Sequence, residues 1–264
     1  MILEHRRAAI SQSVEMVYQE AGLELENLKP GIIPLYDLIR SYPIRVAEIK
    51  DMTIKNVAEF LETETGHKPP FSDRENPNLR LAGYLYLLEY QGCFYGCILV
   101  EKKPYLAPVS RRRFSAAHEL GHYLLHFLPL LESHQENISK EPLILTEGLY
   151  VEKENDDEIQ DSKDESTAEF TFTNGIQVVL DRLGIDEKQM EEEADRFAAE
   201  LLIPATACLT LAKKFCGRFA RKRDALAKRL ATEFLVSEEA MKRRLEDLQL
   251  PEILLNANSE ITEK

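Results

Sequence analysis

Apolar residues in the first hundred positions of the chain form a helical pattern followed by two strand-like runs. Between residues 1 and 75 they recur at helical spacing and prolines interrupt them, which predicts an N-terminal helical region with breaks. Two runs rich in aromatic and branched residues follow, Leu81–Tyr90 and Cys93–Glu101. Gln91 and Gly92 separate these runs, and so short a connection predicts an antiparallel hairpin.

The remainder of the chain combines helical patterns with one strongly charged stretch. A helical pattern begins near Ser110 and continues to about Leu131. The segment from about 134 to 170 has high charge and few apolar residues, which predicts a mobile surface insertion. Helical spacing returns in QMEEEADRFAAELLIP and in the stretch from about 206 to 250. The whole pattern predicts an α+β protein, mainly helical with a small antiparallel sheet.

These patterns divide the chain into three regions. An N-terminal helical region covers residues 1–75, a central region covers residues 76–205 and includes the charged insertion, and a C-terminal helical region covers residues 206–264. The central region contains both the hairpin and the residues with the clearest chemistry.

Charge and hydropathy narrow the classes of protein that fit. The formal net charge of -13 argues against a protein that coats nucleic acid over its whole surface. The polar N-terminal sequence lacks the apolar segment of a signal peptide, and no run of about 20 apolar residues is present. We therefore expect a soluble cytoplasmic protein without a membrane partner.

The stretch FSAAHELGHYLLHF contains the motif HExxH. On a helix His118 and His122 are one turn apart, so both imidazoles can bind one metal ion while Glu119 lies beside its open side. A chance copy of the motif would more often lie on a solvated or broken helix, whereas this copy lies in a half-buried apolar one. The pattern indicates a metal hydrolase, with zinc as the expected ion and manganese or iron as alternatives.

A catalytic zinc site needs a third protein ligand besides the two histidines. The extended motif HExxHxxGxxH is excluded, because Leu125 and Leu128 occupy the positions that it reserves for glycine and histidine. A carboxylate on a later helix is the alternative, and Glu191 with Asp195 one turn further offers a ligand and an outer residue that orients a histidine or its helix. The competing interpretation is a solvated acidic first turn favoured by the helix dipole.

Other acidic and histidine residues near these motifs need interpretations of their own. Glu192 and Glu193 follow Glu191 directly and point to other sides of the predicted helix, although either remains an alternative ligand. His126 is a third histidine at the same spacing, but ligands at i, i+4 and i+8 would span about 12 Å of helix. His126 is therefore predicted to support the site from behind rather than to bind the ion.

The C-terminal region is basic within an acidic protein. Residues 213–247 contain eleven Lys or Arg and six Asp or Glu. LAKRLATEFLVSEEAMKRRL resembles a helix-turn-helix, with Ser237 as the N-cap of a second helix that carries Lys242, Arg243 and Arg244. These three side chains are candidates for DNA or partner contact, and a solvated or packed basic face is the favoured alternative.

Three motifs together resemble the ImmA/IrrE family of zinc-dependent metallo-endopeptidases. They are RRRFSAAHELGHYLLH at 111–126, EEEADRFAAELLIP at 191–204 and FLVSEEAMKRRLEDL at 234–248. The resemblance covers roughly 81–126 and 191–248 and little of the N-terminal region. The long acidic stretch between the two metal-binding motifs departs from the compact pattern of the family.

The resemblance implies a zincin-like metallopeptidase core, with metal binding by His118, His122 and Glu191 and with Glu119 as the general base. It also implies cleavage of a repressor that carries a helix-turn-helix, which would release stress, prophage or mobile-element genes. The hairpin strand Cys93–Glu101 is expected to offer an edge to an extended substrate. The alternative is a metal-stabilised regulatory or antitoxin-like protein that contacts DNA or a partner through its basic helices.

Overall fold

A computed structural model describes residues 4–25, 30–67, 77–90, 93–102, 109–134, 143–150, 175–219 and 223–249, with the single positions 28 and 69. The helices are α1 (Glu4–Glu20), α2 (Leu35–Ile39), α3 (Ile54–Thr65), α4 (Val109–His122), α5 (Leu128–His134), α6 (Gly175–Leu183), α7 (Glu187–Leu202), α8 (Ala205–Phe219), α9 (Arg223–Phe234) and α10 (Glu238–Asp247). The strands are β1 (Ile44–Ile49), β2 (Leu81–Tyr90), β3 (Cys93–Glu101) and β4 (Leu143–Tyr150). A π-helical turn, Tyr123–Phe127, joins α4 to α5.

The four strands form one mixed sheet in the order β1-β3-β2-β4. The predicted hairpin of β2 and β3 is antiparallel, with Tyr90 opposite Cys93. Strand β4 is antiparallel to β2, whereas β1 is parallel to β3, so the expectation of a purely antiparallel sheet is wrong. The coarser α+β class with a mainly helical chain and a small sheet is confirmed.

The segment predicted as an N-terminal helical region also contains a strand. Helices α1, α2 and α3 lie in it, but β1 pairs with β3 from Ile44 opposite Gly96 to Ile49 opposite Glu101. The six residues of β1 mix buried and exposed positions without a clean alternation, so their period does not reveal a strand. Hydrogen bonds to a partner about 50 residues further along the chain decide their conformation.

Part of the predicted insertion is also ordered. Residues 143–150 form β4, which pairs with β2 from Leu143 opposite Glu89 to Tyr150 opposite Leu81. The segment predicted as an insertion from about 134 therefore contains an outer strand of the sheet. Its sequence alone does not indicate a strand, because the hydrogen bonds that stabilise this short apolar run come from β2. The most acidic part of that prediction, 151–170, lies outside the described residues.

Helix α4 lies between the sheet and α7, and glycines permit both contacts. A Cβ on Gly83 of β2 would meet Ser115 and Glu119 of α4. A Cβ on Gly121 of α4 would lie 3.0 Å from the Phe197 ring and 3.3 Å from the Ala194 Cα of α7. The missing side chains therefore allow the sheet, α4 and α7 to approach closely enough for side chains of different elements to share one site.

A single hydrophobic core includes residues from all three sequence regions, such as Ile10, Leu120 and Leu245. Helix α1 lies along α7, where the Tyr18 hydroxyl donates a hydrogen bond of 2.6 Å to the Leu201 carbonyl. No described helix combines the length and the apolar character that spanning a membrane requires.

Candidate metal centre

The HExxH motif occupies the last turns of α4, where the helix is surrounded by protein. His118, Glu119 and His122 are all buried, as are the small residues Ala116 and Ala117 before them. Small side chains let α4 press against the sheet and α7, so the three polar side chains lie in the interior. Because buried polar groups are costly unless they have partners, the partners of these side chains define the site.

The structure brings His118, His122 and Glu191 together. The Nε2 atoms of the two histidines are 2.9 Å apart. The Glu191 carboxylate faces both, with Oε2 at 3.2 Å from His118 Nε2 and Oε1 at 3.2 Å from His122 Nε2. One ligand atom from each of the three residues lies within 4.8 Å of the other two. The ligands expected from the sequence thus converge across α4 and α7.

These separations fit a metal ion held between the three residues. Ligand atoms about 2.0–2.1 Å from a tetrahedral zinc ion lie about 3.3 Å from one another, close to the observed 2.9 and 3.2 Å. Two imidazoles and a carboxylate are also a common donor set for catalytic zinc. The alternative is a proton on His118 that makes a buried ion pair with Glu191. Metal analysis distinguishes the two.

Asp195 lies behind His118, as expected for a residue that orients it. Its Oδ1 is 3.0 Å from His118 Nδ1. Burial opposes a charge on the ring, but hydrogen bonds to Asp195 and Glu191 outweigh it and raise the pKa of His118 well above its ordinary value. A carboxylate only accepts a hydrogen bond, so Nδ1 holds a hydrogen and Nε2 is directed at Glu191 and His122.

His126 lies behind His122 and does not reach the other ligand atoms. The π-helical turn carries it, and its Nδ1 is 3.1 Å from His122 Nδ1. Its Nε2 is 3.3 Å from Glu193 Oε2. Both ring nitrogens are therefore engaged away from the ligand cluster, in agreement with the predicted outer position. Burial lowers the pKa of His126 to about 4.

The sequence analysis missed Arg6 and considered Glu193 only as an alternative ligand, whereas the structure places Glu193 outside the ligand cluster. Glu193 is fully buried and receives hydrogen bonds from Arg6, Gln189 and His126. Burial alone would raise the pKa of Glu193, but these hydrogen bonds lower it to about 2. In the sequence Glu193 is one of three adjacent glutamates, which suggests a solvated turn, and Arg6 is 187 residues away. Only the packing of α1 on α7 reveals the pair.

Glu119 lies where α4 crosses β2. Its side chain is buried, and its Oε1 would be 2.6 Å from a Cβ on Gly83. Since Glu119 is next to His118 in the chain and adds to the negative potential at that imidazole, its carboxylate acts on the same small volume as the ligands. The structure thus places a buried carboxylate one residue from a histidine of the ligand cluster.

Strand β3 lacks the free edge that the sequence suggested, because β1 and β2 pair with its two sides. Among the described strands, the outer ones are β1 and β4. Strand β4 places Leu149 opposite Gly83, directly beside the point where Glu119 meets the sheet. The edge nearest to Glu119 therefore belongs to β4.

One of the three predicted basic contact residues is not on the surface. Arg244 is buried, donates a hydrogen bond of 3.1 Å to the Ile203 carbonyl and lies 3.3 Å from Glu200. Contact of Arg244 with DNA or a partner does not fit this burial, because its guanidinium joins α10 to the end of α7, as the favoured alternative of a packed basic face predicted.

The other two basic side chains on α10 are paired with acidic residues. Lys242 lies 3.0 Å from Asp224 and 3.1 Å from Glu238, and Arg243 lies 2.5 Å from Glu239. The turn before α10 has the predicted N-cap, since the Ser237 hydroxyl accepts a hydrogen bond of 3.1 Å from the Ala240 amide. The two helices and their cap are present, but their exposed charges are locally balanced.

The model of peptidase family M78, described as the IrrE N-terminal-like domain, matches residues 163–246. The match confirms the resemblance to the ImmA/IrrE family. It includes α7 with Glu191 and Asp195, and it begins after HExxH. The family match and the motif thus lie on separate parts of the chain, and the fold brings them together at one cluster. No curated protein sequence matches the chain significantly.

The matched segment covers 84 of the 264 residues, about a third of the chain. Helices α8, α9 and α10 lie within or largely within the matched segment, so the basic C-terminal helices are part of the stretch that resembles the family. The N-terminal region, including α1, lies outside the match.

Proposed function

We propose that this ImmA/IrrE-family protein is a zinc-dependent endopeptidase, with His118, His122 and Glu191 as the metal ligands and Glu119 as the general base. The proposal rests on one observation. Ligand atoms of His118 and His122 on α4 converge with one of Glu191 on α7, and the buried Glu119 is adjacent to His118 on α4. Manganese or iron would suit the same donors, and metal analysis decides among the three.

A bound zinc ion would supply Lewis acidity, which lowers the pKa of a water molecule and polarises a peptide carbonyl. His118 and His122 would hold the ion through Nε2, and Glu191, whose carboxylate lies 3.2 Å from both Nε2 atoms, would contribute a compensating negative charge. Glu119 accepts a proton from the attacking water at its carboxylate and returns it to the leaving amine. Burial of Glu119 keeps bulk water from competing for that proton.

The substrate chain is proposed to lie in extended form along β4. In the described part of the sheet β4 pairs only with β2, and its register places Leu149 opposite Gly83, beside Glu119. Backbone hydrogen bonds to such an edge hold a peptide without reading its side chains. An extended segment bound there would pass the ligand cluster.

We propose a repressor that carries a helix-turn-helix as the substrate, with release of stress, prophage or mobile-element genes as the consequence. This substrate class rests on the resemblance to the ImmA/IrrE family. A cytoplasmic location follows from the same proposal, since such a repressor acts there.

The test combines metal analysis with a cleavage assay on helix-turn-helix repressors from the same genome. We expect about one zinc ion per chain and one defined cut, identified by mass spectrometry of the fragments. The variant Glu119→Gln should bind zinc as the unaltered protein does and lose cleavage by at least about 10²-fold. Cleavage that persists in this variant, or a purified protein that binds none of the three metals, would contradict the proposal.

The second candidate is a metal-stabilised regulator that binds DNA through α9 and α10. Arg244 is buried, and Lys242 and Arg243 form ion pairs with acidic side chains. These three cations are therefore poorly placed to bind DNA phosphates, which weighs against this candidate. It predicts a salt-dependent mobility shift with DNA that Glu119→Gln leaves unchanged. No shift at low salt would eliminate it.

A further inference from the structure

Four side chains connect the N-terminal helix to the candidate metal centre. Arg6 of α1 binds the Glu193 carboxylate through two nitrogens, with its Nε 2.9 Å from Oε1. Glu193 Oε2 is 3.3 Å from His126 Nε2, and His126 Nδ1 is 3.1 Å from His122 Nδ1. Glu193, His126 and His122 are completely buried. We call these four residues the histidine relay.

The hydrogen-bond partners decide where the hydrogens of the relay lie. A carboxylate bound to Arg6 only accepts, so the hydrogen on His126 is at Nε2. The contact between the two Nδ1 atoms has room for one hydrogen, because two N–H groups cannot face each other at 3.1 Å. Arg6 pairs with both oxygens of Glu193, so the negative charge of that carboxylate is already balanced without a second positive charge on His126. With its one hydrogen at Nε2, His126 accepts at Nδ1, and His122 donates from its own Nδ1.

This arrangement selects one tautomer of His122. With its hydrogen at Nδ1, His122 presents a lone pair at Nε2, the atom that lies 3.2 Å from Glu191. The opposite tautomer would place a hydrogen at Nε2 and exclude a metal ion. His118 reaches the same state through Asp195, a carboxylate in direct contact. For His122 the corresponding carboxylate is that of Glu193, and His126 lies between the two residues. Arg6 holds this carboxylate from α1, a helix outside the family match.

We propose that His126, Glu193 and Arg6 are positioning residues that hold His122 in its metal-binding tautomer and orientation, and that α1 is thereby part of the metal centre. The proposal rests on the proposed metal site. It gives the N-terminal helix a role that neither HExxH nor the matched segment predicts. It also accounts for a third histidine that is fully buried yet cannot reach the ion.

Two substitutions at His126 test the orientation of His122. His126→Leu fills the space but accepts no hydrogen bond, whereas His126→Asn places an amide oxygen near the position of Nδ1. The affinity for Zn²⁺ is measured by competition with a chromophoric chelator, which needs no substrate. We expect about 10- to 100-fold weaker binding for His126→Leu, and within about threefold of the unaltered protein for His126→Asn, since an oxygen acceptor serves the same N–H.

Two arginine substitutions test the contribution of α1. Arg6→Gln removes the bidentate partner of Glu193, and Arg7→Gln is the matched control, because Arg7 is the adjacent exposed residue of the same helix. Arg6→Gln should weaken Zn²⁺ binding about 3- to 10-fold, less than a direct neighbour of the ligand does, and Arg7→Gln should leave it unchanged. Arg6→Lys, which keeps the charge, serves if Arg6→Gln does not fold.

The outcomes separate the relay from the metal site itself. If the unaltered protein binds no Zn²⁺, the proposed function fails. If it binds Zn²⁺ and His126→Leu binds equally well, the relay is refuted. A lower melting temperature of the metal-free His126→Leu variant with unchanged Zn²⁺ affinity would mean that His126 only fills the core, which also refutes the relay. Weaker binding restored by His126→Asn supports it.

Discussion

Replacing Gly83 by alanine should disable Glu119 while the fold and the three proposed metal ligands stay in place. Gly83 lies on β2 directly under α4, and an added Cβ would be 2.6 Å from Glu119 Oε1 and 3.3 Å from Glu119 Cγ. The backbone of Gly83 does not have the positive φ that would itself disfavour alanine. The added Cβ would also be 3.2 Å from Ser115 Cβ, which is a milder crowding, so the main effect of the substitution is a steric displacement of the Glu119 side chain.

The geometry gives the size of the displacement. The separation of 2.6 Å falls short of an ordinary van der Waals contact of 3.4 Å by about 0.8 Å. The atom that must move furthest is the end of the Glu119 side chain, so most of the relaxation is inexpensive, and Ser115 must shift by about 0.2 Å. Alanine in a strand is also more stable than glycine by about 0.5–1 kcal/mol. We expect the free energy of unfolding to change by less than about 1 kcal/mol.

The same displacement should be costly for catalysis, because a general base must lie within hydrogen-bonding distance of the proton that it accepts. A misplacement of about 1 Å in a catalytic group lowers a rate by about 10²-fold. We therefore expect Gly83→Ala to cleave the proposed repressor substrate 10- to 100-fold more slowly, with Zn²⁺ content unchanged.

The control is Gly96→Ala on the adjacent strand β3. Its added Cβ would also be tight, at 3.0 Å from Ile44 Cγ1 and from the Phe94 ring, but it does not touch Glu119. Cleavage is followed by gel densitometry, zinc by elemental analysis and stability by urea unfolding. The reasoning is refuted if Gly83→Ala retains full activity, if it loses zinc in proportion to activity, or if Gly96→Ala loses as much activity.

Three further predictions concern the ligands and the helices that hold them. Gly121→Ala should push α7 away by a few tenths of an ångström at Ala194 and weaken Zn²⁺ binding about 10-fold in a chelator competition, without lowering the melting temperature, since alanine favours the helix. Arg244→Leu should lower the free energy of unfolding by about 3 kcal/mol in a urea titration, because it leaves Glu200 buried with fewer partners. The control Arg243→Leu removes an exposed ion pair and should change it by less than about 0.5 kcal/mol. Zinc at 100 times its Kd should stabilise the protein by about 2.7 kcal/mol in thermal unfolding, and a chelator should reverse this; a Glu191→Ala variant stabilised equally would place the ion elsewhere.

Much of the fold follows from local patterns. The hairpin of β2 and β3 appears as two apolar runs with a short connection, and the cap of α10 appears as Ser237 before a helical stretch. Strands β1 and β4 do not appear, because each is short and owes its conformation to hydrogen bonds with a strand that is distant in the chain. The parallel direction of β1 relative to β3, which makes the sheet mixed, also depends on this long-range pairing and has no local signal.

The chemistry of the site divides in the same way. The sequence by itself determined that His118 and His122 share a face with Glu119 next to the first of them, because helical periodicity fixes which side chains are neighbours within one helix. It also supplied Glu191 and Asp195 as candidates through their spacing.

Only the tertiary structure decided which charges are buried and what they contact. Glu191 and Glu193 are two residues apart in one acidic run, yet one faces the ligand cluster and the other binds His126 and Arg6. Arg244 looks like its exposed neighbours until α10 packs against α7. Burial and long-range pairing depend on how elements assemble, and residues far apart in the chain carry no local pattern that records their contact.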